Sequence, residues 1–87
     1  MTTEDLRDYI SFLIKPILQY PDEFTIDMTD EDTGVLYTIS TNQSDFGRII
    51  GKSGATISMI RAIVRIVGIT NEIEVVSIEL PDADTKN

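Results

Sequence analysis

The chain has 87 residues, 41% of them hydrophobic, which allows one domain with a modest core. It holds no cysteine and no histidine, so disulfides, thiolate metal ligands and imidazole catalysis are excluded, and a zinc site would need carboxylates alone. Fifteen acids against seven bases give a net charge of −8, which would repel a polyanion if it were spread evenly.

In chain order, Thr3 is placed for an N-cap, with Glu4 and Asp5 in the first turn where acids favour the helix dipole. Leu6, Tyr9, Ile10, Leu13, Ile14 and Ile17 then recur on one side of a helix. Pro16 should kink or break it near its end, and Tyr20-Pro21-Asp22 closes the element. Phe24, Ile26 and Met28 alternate with polar residues as in a half-buried strand, and Val35, Tyr37 and Ile39 do the same in a second. The acidic turn Asp30 to Gly34 between them predicts an antiparallel hairpin. A polar loop, Thr41 to Ser44, follows, with Ser44 placed for a cap, and then a short helix over 45–50 with Phe46, Ile49 and Ile50 apolar.

A glycine-rich turn leads into a second helix, about Ala55 to Val67. Its Ile and Val content would equally allow a strand, but Ile57, Ile60, Val64 and Val67 fall on one helical stripe and Ser58, Arg61 and Arg65 on another. Gly68 is placed for a C-cap. Val76, Ile78 and Leu80 alternate in a last strand, and 81–87 reads as a polar, frayed tail outside a single domain of 1–80. Neither a signal peptide nor a run of roughly 18 apolar residues is evident, so the expected location is cytoplasmic, without a membrane span.

The turn itself, Ile49-Ile50-Gly51-Lys52-Ser53-Gly54-Ala55-Thr56-Ile57, is the most informative stretch. Two glycines let the backbone come close to a ligand, and the following helix starts beside it with unpaired N–H groups. A phosphate-binding P-loop does not fit. Only three residues separate Gly47 from Gly51 where that motif needs four, and the preceding segment has helical rather than strand spacing. The charge is also uneven. Residues 1–45 carry ten acids and two bases, whereas 46–68 carry four bases, Arg48, Lys52, Arg61 and Arg65, and no acid. A local basic patch on an acidic body can guide RNA to one place, although Arg61 and Arg65 could also be a solvated helix face.

The hydrophobic-Ile-Gly-x-x-Gly-x-x-Ile run resembles the signature of the KH domain, whose loop clamps about four nucleotides of single-stranded nucleic acid. The element order, helix-strand-strand-helix-helix-strand, is similar to the type II KH topology. It implies an α+β fold, a three-stranded mixed sheet covered on one face by three helices. With the Ile14-Lys15-Pro16-Ile17 helix end and the Tyr20-Pro21-Asp22 exit, the chain is similar to the small bacterial single-KH proteins of the KhpA type. That resemblance implies a cytoplasmic protein binding single-stranded RNA, an RNA chaperone linked to cell-shape control that pairs with a larger, KhpB-type protein. A homodimer is the simplest closed alternative.

By position, the resemblance assigns Gly51 and Gly54 to close approach, Lys52 and Ser53 to phosphate, and Ile57 with an aliphatic neighbour, Ile49, to the groove floor. Arg48, Ser58, Arg61 and Arg65 would flank the groove. Ile50, Phe24, Phe46, Tyr9 and Tyr37 read as packing residues. No cofactor, metal or catalytic residue is expected. The competing reading is a protein–protein dimerisation module whose glycine turn is vestigial.

Overall fold

The computed structural model describes residues 1–81. Helix α1, Thr3–Ile14, begins one residue earlier than the sequence suggests. Thr2, not Thr3, is the N-cap: its hydroxyl accepts from the Asp5 amide at 3.0 Å while the Asp5 carboxylate accepts from the Thr2 amide at 2.8 Å. That second bond holds the Asp5 carboxyl below the usual range. Pro16 ends the helix as expected, in a 3-10 turn over Lys15–Ile17.

Strands β1, Thr25–Glu31, and β2, Gly34–Ser40, form the predicted antiparallel hairpin, with Ile26 opposite Ile39 and Met28 opposite Tyr37. Helix α2, Phe46–Ile50, and helix α3, Ala55–Thr70, make the crossover to β3, Val75–Glu79, which runs parallel to β2. The order β1-β2-β3 leaves β1 and β3 as edges. This is the α+β architecture expected, a mixed sheet with three helices.

Alternation decides the layers. Val35, Tyr37 and Ile39 of β2 and Ile78 of β3 are buried, and they meet Leu6, Ile10 and Ile14 of α1 and Ile57, Ile60 and Val64 of α3. Each large aliphatic side chain so buried contributes roughly 1.5–3 kcal/mol. Tyr37 spans the core and donates its hydroxyl to the Thr3 carbonyl at 2.7 Å, and burial pushes that phenol up to about 12. It stays a neutral donor at any physiological pH.

Two caps differ from expectation. Asn42, not Ser44, closes the loop before α2, its side chain accepting from the Ser44 amide. Gly68 is interior to α3 and buried, because the chain that leaves the helix folds back onto it: the Ile73 amide donates to the Gly68 carbonyl at 2.8 Å, and a Cβ on Gly68 would press on the Ile73 carbonyl. Asn71 caps the helix instead, and Glu72 takes the positive φ, +58°.

By length and composition alone, Lys52–Thr70 is apolar and long enough to cross a bilayer. Yet only 16 of these residues are α3, about 24 Å against a hydrocarbon core of about 30 Å. One face of α3 closes the sheet, so it is a core helix. Of the expected polar tail, 82–87 lies outside the described residues.

Candidate nucleic-acid interface

Between α2 and α3 the backbone makes the turn that the two glycines permit. Gly51 sits at φ +75° with its amide on the Gly47 carbonyl at 2.8 Å, and Ser53 at φ +57° and Gly54 at φ +78° then swing the chain into α3. The glycines differ in what they leave room for. A Cβ at Gly51 would collide with the Thr56 side chain, so this glycine serves the fold of the turn rather than a ligand. A Cβ at Gly54 would meet nothing within 4 Å, and that open face is where another backbone can approach. Gly54 offers α3 no side-chain cap, and the Ala55 amide is taken by the Lys52 carbonyl, so what the turn presents to an anion is the positive end of a sixteen-residue helix rather than that first amide.

The basic residues are not equivalent. Lys52 and Arg65 are exposed and form no ion pair among the described residues. Arg48 lies 3.4 Å from Asp45, and this partner offsets part of its charge. Arg61 is exposed but anchored, its Nε and Nη2 donating to the Ile78 carbonyl of β3 at 3.2 and 2.9 Å. Ser58, Arg61 and Arg65 share the flank of α3 that faces the β3 edge, as their spacing predicts.

The apolar assignments need correction. Ile49 is 0% exposed and packs in the core, so it cannot touch a ligand; Ile50, read as the packing residue, is the one left partly exposed beside the turn. Ile57 is 7% exposed and belongs to the same core, so it offers a ligand little surface. Phe24 and Tyr37 are buried, which removes them as stacking platforms, and Tyr9 and Phe46 pack partly buried against the core as read.

Sequence reasoning missed two features. Asp45, fully buried, accepts from the Gln19 and Tyr20 amides at 2.9 Å each and ties the linker after α1 to the start of α2. The flank of α3 away from β3 exposes Met59 (68%), Ile63 and Ile66 (61%), and Met59 and Ile63 line an apolar groove with Leu13 and Ile17.

Residues 7–80, nearly the whole framework around this turn, match the family model described as KhpA/KhpB, KH domain. The chain belongs to that family. It is 31% identical to RNA-binding protein KhpA of Lactiplantibacillus plantarum over 83 residues, 95% of this chain and 96% of the relative. To RNA-binding protein KhpA of Streptococcus pneumoniae it is 39% identical over 61 residues, 70% of this chain and 77% of that one. To the Bacillus subtilis KhpA it is 32% identical over 69 residues, 79% and 85% of the two chains. Among the described residues no three His, Cys, Asp or Glu side chains are grouped to hold a metal ion.

Proposed function

We propose that this protein binds single-stranded RNA, with the Gly51 to Gly54 turn clamping the sugar-phosphate backbone and the α3 flank beneath the bases. The observation that carries the reading is the open face of Gly54 at the positive end of α3, beside Lys52, which is exposed and forms no ion pair among the described residues. Membership of a family whose relatives are named RNA-binding proteins supports it. Lys52 and Ser53 would meet phosphate through charge and hydroxyl, Ser58 and Arg65 would line the groove, and Arg48 would add a partly neutralised charge. Few cations on an acidic body imply weak, transient binding, which suits the chaperone or post-transcriptional role expected of a cytoplasmic protein in this family and its link to cell shape. No step in this reading requires catalysis.

Binding should favour single strands over duplex, because bases must splay to reach the α3 flank. With two to four phosphates neutralised, the logarithm of the association constant should fall with the logarithm of salt at a slope of about −1.4 to −2.8. Fluorescence anisotropy across a salt series measures it. A slope near zero, or tighter binding to duplex, contradicts the clamp.

Pairing belongs to the same reading. The exposed Met59, Ile63 and Ile66 flank is a contiguous apolar surface on the side of α3 opposite the RNA flank, so a second copy, or the KH unit of a KhpB-type partner, could sit there while RNA is bound. Ile63→Asp should then convert a dimer into a monomer in sedimentation across a concentration series. A parent chain that stays monomeric at high concentration and binds no KhpB-type protein would count against it. If the pairing stands and RNA binding fails, the interaction-module reading becomes the better one.

A further inference from the structure

The anchored Arg61 changes what the groove wall can offer a base. As an edge strand, β3 would otherwise present backbone acceptors as well as donors on its outer side. At Ile78 the carbonyl is already filled by two guanidinium N–H groups, from Nε and Nη2. Arginine has five such donors and no acceptor, so three remain and none of them can receive a hydrogen bond. The two-point attachment uses the Nε–Nη2 side and leaves the end-on pair, one N–H on each Nη atom, as a fork held in one plane. Arg61 lies about 9 Å along α3 from Ala55, inside the four-nucleotide footprint of a KH loop.

We propose that Arg61 is a specificity-determining residue of the groove, selecting bases that present two adjacent acceptors, guanine through O6 and N7 or cytosine through O2 and N3. Adenine sets its N6 amino donor beside each of the nearest ring acceptors. Uracil separates O2 from O4 by the N3–H donor. Both bring a donor against a guanidinium that only donates. This rests on the reading of the turn as a phosphate clamp, which fixes where bases fall. If Arg61 were only a phosphate charge, replacing it would weaken all sequences alike.

The test is anisotropy at one low salt concentration with labelled RNA hexamers: all-A, all-U, all-C, and a U hexamer carrying a single guanine. The all-C and guanine-containing hexamers should bind at least about fivefold tighter than the other two, the lower end of what a bidentate arginine–base pair supplies. Arg61→Lys keeps the charge but not the fork, and should bring all four to within about twofold of one another. The assignment is overturned if the parent protein binds all four within about twofold, if all-A binds tightest, or if Arg61→Lys retains the parent's ranking. The parent's ranking alone decides the matter should the variant fold poorly. Absence of binding to every hexamer removes the clamp reading itself, and this assignment with it.

Discussion

Asp45→Ala is expected to lower the unfolding free energy by about 3 kcal/mol, although the residue touches neither the turn nor any proposed ligand. Its carboxylate has no exposure and accepts from two backbone amides of the α1–β1 linker while facing Arg48 at 3.4 Å. Alanine leaves both amides without an acceptor, at about 1–3 kcal/mol each, and opens a void beside them. For a domain whose whole stability is of order 5–15 kcal/mol, that is a large share, and the midpoint of thermal unfolding should fall by roughly 12 °C or more. Asp45→Asn should recover only part of the loss, since one of its two side-chain polar groups donates where the native oxygen accepts. Melting temperatures within a degree or two of the parent would mean that the linker is held by something else.

Asp45 also marks a limit of what the sequence discloses. Its partners lie 25 and 26 residues away, so no local pattern distinguishes it from the solvated acids at helix starts. The exchange of roles between Ile49 and Ile50 has a different cause. A five-residue helix makes fewer than two turns, too short for apolar spacing to fix which side faces the core. Gly68 misled because a glycine near a helix end satisfies two needs, a left-handed cap or the close approach of another chain, and here Ile73 required the second. Where the pattern ran longer it was decisive. The alternation of β2 was buried as read, as were Ile57, Ile60 and Val64 of the α3 stripe with Val67 partly buried beside them, and both glycines of the turn took positive φ. The basic stretch was legible as charge, but the commitments of Arg48 to Asp45 and of Arg61 to Ile78 depend on tertiary neighbours.

Those commitments leave Lys52, at the tip of the turn, as the cation best placed to meet a phosphate, and they single out the most direct measurement. Replacing Lys52 and Ser53 together by Asp sets two negative charges where the clamp should hold a phosphate, beside the positive end of α3. The fold should tolerate the change. Both side chains are exposed, aspartate accepts the left-handed backbone of Ser53 better than most residues, and acids near a helix N-terminus are favourable by about 0.3–1 kcal/mol each. Binding of a single-stranded RNA by anisotropy, with circular dichroism and melting on the same sample, should fall by at least about tenfold while the melting curve stays close to the parent's, as attraction turns to repulsion at the point of closest approach. A double variant that is folded and binds RNA as tightly as the parent would contradict the account, because the Gly51 to Gly54 turn would then not be the clamp.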